Sequence, residues 1–140
     1  MPTTKKVISA FCATILFLMC TISTACASNT GINPYMDHIA LGQCSLDIDG
    51  TTAKVNAWVE GRTDVTRTEV TVELQEQYLL FFWKTIDSWS NNNSNSSYCR
   101  VSASTSVTSG KTYRAVATVT AWAGSDSETQ TMTTETTVAG

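Results

Sequence analysis

The chain has 140 residues, of which 15% are charged, with a formal net charge of −3. This mildly acidic balance argues against nucleic acid or anionic lipid as the main partner. Hydrophobic residues make up 42%, enough to close a modest core in a chain the size of one domain. Ser, Thr and Val are abundant, a mixture that favours strands over helices.

Lys5 and Lys6 precede an uncharged apolar run from Val7 to Ile22, followed by Ala25 and Ala27 at the −3 and −1 positions of a small-residue cleavage site. This order predicts a secretory signal peptide over 1–27. The run is too short for a good transmembrane helix, which needs ~20 apolar residues. A competing reading makes Cys26 a lipidated cysteine, but Ser23 stands where a Leu-like residue belongs. With cleavage after Ala27 the mature chain keeps 113 residues, seven basic and twelve acidic, and a formal charge of −5.

Residues 28–40 show no period, and Gly31 and Pro34 oppose a continuous helix, so an N-terminal arm is expected there. The sandwich domain is expected over 41–140. Cys44, Leu46 and Ile48 alternate with Ser45, Asp47 and Asp49, predicting the first strand. Asp49-Gly50 predicts a hairpin turn. Ala53, Val55, Ala57 and Val59 mark the second strand, and Val70, Val72 and Leu74 the third. A fourth is expected from Trp83 to Trp89, with both Trp residues on one face. Ser90–Ser97 is expected as a polar loop. Cys99, Val101 and Ala103 mark a fifth strand. Thr112–Ala123 forms a sixth, with Tyr113, Ala115, Ala117, Val119 and Ala121 inward. The weakly alternating tail from Glu128 to Val138 forms a seventh. Six or seven strands without a helix predict an all-β, antiparallel two-sheet sandwich.

Signal removal leaves Cys44 and Cys99 as the only cysteines, and an even pair in an exported chain predicts one disulfide. Closing a loop of that size would stabilise by ~4 kcal/mol in the chain-entropy model.

The stretch Val70-Thr-Val-Glu-Leu-Gln75, then Trp83 and Trp89, the Ser/Asn-rich run, and Gly110-Lys-Thr-Tyr-Arg114 resemble an uncharacterised family of small secreted proteins from Gram-positive bacteria. The resemblance runs from Leu41 to Thr137. It implies export and a small β-domain, and lends no activity or ligand. The Tyr113 strand also resembles the penultimate strand of immunoglobulin- and fibronectin type III-like sandwiches, an analogy of fold that carries no function.

No catalytic set emerges. Leu46-Asp-Ile-Asp-Gly-Thr51 resembles the first motif of haloacid dehalogenase-type phosphatases, in which Asp47 and Asp49 would be nucleophile and acid/base. An alternating strand follows instead of a large α/β domain, and the hairpin reading is preferred. Further ligands at EF-hand spacing are missing. His38 is the only histidine, no G-x-S-x-G elbow is present, and no zinc set remains. The chain is therefore expected not to be an enzyme, and to carry no cofactor or metal. Asn92-Asn-Ser94 and Asn95-Ser-Ser97 match glycosylation acceptors, but in a bacterial product they mark a polar segment.

The aromatic residues offer more. Alternation puts Trp58 and Trp122 opposite the small apolar residues, where they would stack on a sugar or anchor a protein, or instead cover a sheet edge. Tyr78-Leu79-Leu80-Phe81-Phe82-Trp83 joins the third and fourth strands with no Gly, Pro, Asn or Asp for a tight turn. Either this run is buried, by the Tyr35 arm or a second copy, or it forms an apolar tip. The expectation is a secreted, non-catalytic binding module, its surface comprising Leu79, Leu80, Phe81 and Phe82 with Trp58 or Trp122. Its partner would be a protein, a glycan or a membrane surface. The alternatives are a membrane-active or antagonistic protein inserting Leu79–Phe82, and a hydrolase if Asp47 and Asp49 share a cleft.

Overall fold

The computed structural model describes Ala25–Gly31 and residues 36–140. The expected signal peptide lies outside the described residues except for its last three, and so do Pro34 and Tyr35. The described residues are all β, with no helix. The strands are β1 (Ala25–Gly31), β2 (Ile39–Asp49), β3 (Thr52–Gly61), β4 (Arg67–Tyr78), β5 (Phe82–Ser94), β6 (Tyr98–Ser106), β7 (Thr112–Ala123), β8 (Asp126–Thr133) and β9 (Thr137–Val138). They form two antiparallel sheets. One has the order β1-β2-β3-β6; the other runs β5-β4-β7-β8, with β9 also on β7.

Strand alternation builds the core directly. Leu46 and Ile48 of β2, and Val55, Ala57 and Val59 of β3, face Val70, Val72 and Leu74 of β4 and the inward row of β7 across the interior. Fully burying one Val or Leu side chain stabilises by ~1.5–3 kcal/mol, so the interior rows outweigh any single surface contact. Thr68 is a fully buried polar residue among these rows, and its hydroxyl donates to the Ser96 carbonyl at 3.2 Å. Tyr113 is fully buried at the start of β7. Its hydroxyl accepts from the Thr108 backbone N–H at 2.9 Å and donates to Glu76 at 3.1 Å.

Five local expectations are revised. The tail expected as one strand over Glu128–Val138 is two, β8 and β9, both paired with β7. The β2–β3 turn is centred one residue later than expected: Asp49 pairs with Thr52, so Gly50 and Thr51 turn the chain, and Gly50 takes the positive φ of 57°. The polar run is not a loop through its length, because β5 continues to Ser94 beside β4. The amides of Asn91 and Asn93 donate to the carbonyls of Arg100 and Tyr98, at 3.0 and 2.8 Å. These side chains satisfy the open edge of β6 and stitch the two sheets together along one side.

A bulge separates Trp83 from Trp89. Leu74 pairs with Asp87 but Gln75 with Thr85, leaving Ile86 unpaired. Parity therefore inverts along β5. Trp89 lies opposite inward Val72 and packs on the core, whereas Trp83 lies opposite Gln77 on the outer face.

The expected disulfide is absent: Cys44 and Cys99 are both buried, free thiols. Their inward orientation is as expected, but β3 lies between their strands. Cys44 pairs with Ala57, and Cys99 pairs with Val59 on the far side of β3. Two strand spacings and two residues of offset put their Cα atoms about 12 Å apart, beyond the ~7 Å that a disulfide can span. The thiols also meet different strands of the facing sheet, Cys44 the backbone of Ala117 and Cys99 that of Val70.

Candidate functional site

Among the described residues the β4–β5 hairpin carries the largest exposed apolar cluster. Tyr78 pairs with Phe82, and Leu79, Leu80 and Phe81 make the turn. Without a glycine available, Leu79 itself takes the left-handed conformation at φ 53°, an uncommon strain for a residue with a Cβ. The Gln77 amide fastens the turn by donating to the Leu80 carbonyl at 2.8 Å. The last row shared with β7 is Glu76–Tyr113, so the hairpin projects past its neighbour within the sheet. Leu79, Leu80 and Phe81 are 73, 79 and 84% exposed, and Tyr78 and Phe82 lie side by side with ring centroids 5.7 Å apart. Within the single chain the 78–83 run forms an exposed apolar tip, and Tyr35, the other candidate to cover it, lies outside the described residues.

Below the tip, Trp83 sits on the outer face beneath the Arg114 guanidinium, 4.1 Å from the ring centroid. Arg114 donates to Gln75 at 2.9 Å, Gln75 donates to Glu73 at 3.0 Å, and Thr85 donates to Glu73 at 3.1 Å. This polar row holds the hairpin base rigid.

Trp58 and Trp122 do not join this surface. Trp122 pairs with Arg67 at the start of β4, eleven residues from Tyr78, or about 36 Å along the strand. Trp58 lies on the outer face of the other sheet, toward that same far end. Its indole donates to Gln43 at 3.0 Å and stacks on Tyr98 at 6.2 Å. Arg67 covers Trp122 at 4.3 Å. The expected combination of the 78–83 run with either Trp is thus corrected: strand direction places them at opposite ends of the sandwich.

Asp47 and Asp49 occupy the outer side of β2, Asp47 opposite Lys54 and Asp49 opposite Thr52 in the turn. Asp47 is half-buried and Asp49 exposed.

A polar junction that sequence reasoning missed lies at the Trp122 end. His38 Nδ1 is 2.9 Å from Asp64 and Nε2 is 3.2 Å from Asp126. A ring that donates from both nitrogens is an imidazolium. The hydrogen bond to Asp126 raises the His38 pKa above its ordinary value, against the opposing effect of desolvation. The same bond lowers Asp126. Desolvation raises Glu128, but the backbone N–H groups of Ile39, His38 and Asp37 outweigh it, and its carboxyl is held low. The cluster fastens the approach to β2 onto β8 and the β3–β4 connection. Its members are scattered over 90 positions, so only a lone histidine was visible in sequence. Among the described residues no group of three or more His, Cys, Asp or Glu side chains is arranged to hold a metal ion, and no helix is long and apolar enough to cross a membrane.

No family model matches the sequence. No curated protein matches it.

Proposed function

We propose that this chain is a secreted, non-catalytic interaction module of the immunoglobulin/fibronectin III-like class, and that the β4–β5 tip is its contact site. The observation that carries this reading is the exposure of Leu79, Leu80 and Phe81 on a turn that Leu79 holds at positive φ. A strained, solvent-facing apolar turn is a feature a fold retains where the turn has work to do. The fold-class assignment draws support from β4, β5 and β7 sharing one sheet while β3 and β6 share the other. The Tyr113 hydroxyl, bonded to the backbone five residues upstream at the entrance to β7, supports it too, because this is the geometry of a tyrosine corner. Export is supported by the Lys5–Ala27 pattern and by the motif order from Val70 to Arg114 that resembles small secreted Gram-positive proteins.

The test compares wild type with Leu80→Ser/Phe81→Ser against three probes: a glycan array, phosphatidylcholine vesicles, and the chain itself in sedimentation velocity. The reading expects at least one binding activity that the double variant loses while its thermal midpoint stays unchanged. Binding to none of these that depends on the tip, or turnover that Asp49→Asn abolishes, would overturn it.

A further inference from the structure

We infer that the partner of the tip is the interfacial zone of a lipid bilayer; this rests on the tip being the contact site. Three observations point to lipid over a protein groove. First, the apex is apolar all round. Leu79, Leu80 and Phe81 are each more than two-thirds exposed, and the Tyr78–Phe82 pair lies on the side of the hairpin opposite Trp83. A protein partner covers one side of a hairpin, whereas a bilayer surrounds it.

Second, the chemistry is layered along the hairpin. The apex is aliphatic and Phe; the next rows hold Tyr78 and Trp83; below them come Lys84 and Arg114. Tyr and Trp settle at headgroup depth, and cations at phosphate depth. Glu76 is the acid in the Lys84 row, and its carboxylate accepts the Tyr113 hydroxyl. Lys111, just before β7, and Lys54 add cations at this end of the sandwich, where Asp47, Asp49 and Glu135 also lie, so the cations are concentrated on the hairpin base and not on the whole end. The chain as a whole is acidic, so the affinity comes from apolar insertion and a zwitterionic surface suffices.

Third, the dimensions agree. One strand step and the turn carry Leu80 about 7 Å beyond Trp83, within the ~5–10 Å to which interfacial elements enter a bilayer. Insertion and not spanning is therefore the geometry.

The experiment uses the full chain and phosphatidylcholine vesicles, with and without acyl-chain bromination. Wild type, Leu80→Ser/Phe81→Ser and Trp83→Phe are compared, each first shown to melt at the wild-type temperature. Every variant carries the same N-terminus, so differences report the tip and not the apolar Val7–Ile22 run. Co-sedimentation should weaken by on the order of tenfold or more in the double variant, since two large side chains no longer leave water. Brominated lipid should quench wild-type fluorescence, and Trp83→Phe should remove most of that quenching, because Trp58 and Trp122 lie at the far end and Trp89 packs on the core. Vesicle binding that the double variant keeps unchanged, or quenching that survives Trp83→Phe, overturns the bilayer assignment. Self-association or glycan binding that depends on the tip, without vesicle binding, also overturns it while sparing the interaction-module reading. No activity that depends on the tip overturns both.

Discussion

Desolvation pushes the Cys44 thiol up from 9.0 to about 12, against a smaller lowering by the Ala117 backbone, and burial likewise raises Cys99. A thiolate is the reactive form, so both residues should resist iodoacetamide in the folded chain and react only on unfolding. Mass spectrometry under native and denaturing conditions checks this. A reductant should leave the melting temperature unchanged, and a drop would restore the disulfide. The sign of the linkage is set by the raised thiols: their contribution is complete below the unfolded value and is lost as pH rises from about 9 toward 12. His38 behaves in the same sense at lower pH. Its folded pKa is raised, so its contribution is present below 6.5 and fades as pH climbs through the folded value. The lowered Asp126 contributes above 3.8 and fades as pH falls through its folded value. His38→Gln should therefore lower the melting temperature more near pH 6 than near pH 9, and an NMR titration of the wild-type imidazole should give a midpoint above 6.5.

Among the connections between strands, two positions test how the backbone is held. A Cβ built on Gly61 would stand 2.7 Å from the Val65 Cβ and Cγ1. Gly61→Ala should force Val65 out of its buried place, costing ~1–3 kcal/mol as overpacking does, measurable by urea unfolding. At the β4–β5 turn Leu79 sits at φ 53°, where asparagine is more at ease than a branched residue. Leu79→Asn should hold or raise stability by up to about 1 kcal/mol while reducing the apolar apex. A fall in stability would mean that Leu79 packs on something in the folded chain. The Ser/Asn run shows why a polar segment was read as a loop. Composition argues against a strand there, but the amides of Asn91 and Asn93 reach the β6 carbonyls and make an edge strand useful.

Across the molecule, chain direction separates two ends of different chemistry. One end carries the His38 junction with Trp122 and Arg67, and the other carries the apolar hairpin. Because Phe81 is 84% exposed, Phe81→Ser should change the unfolding free energy by less than about 0.5 kcal/mol. Val72→Ala, at the centre of the core, should cost at least ~1–2 kcal/mol. Equal effects in chemical denaturation would mean that the tip is packed. The strand β1 crosses the expected cleavage point: Ala25–Ala27 pair with Leu46–Ile48, and Ser28–Gly31 with Gly42–Ser45. Cleavage after Ala27 would leave the second half of that pairing.

Much of this architecture was legible from period alone. Apolar residues at every second position of 44–48, 53–59, 70–74 and 113–121 specify which faces turn inward, because a strand with one buried face has no other way to hide them. The missing turn residues at Tyr78–Phe82 marked the candidate site for the same local reason. Whether that run was buried or exposed was not a local matter; it depended on β7 ending its pairing at Tyr113. The thiols could be placed inward by alternation, but only the order β2-β3-β6 revealed a strand between them. The bulge at Ile86 sent Trp83 and Trp89 to opposite faces, since one extra residue inverts every later position. His38, Asp64 and Asp126 became one junction because three segments distant in the chain end at the same edge. Sequence by itself determined the core strands and their inward faces, which hydrophobic alternation sets residue by residue, but not β1, the end of β5 or the division of the tail into β8 and β9. Tertiary structure decided neighbours, ends and exposure, which depend on pairing between segments that do not adjoin in the chain.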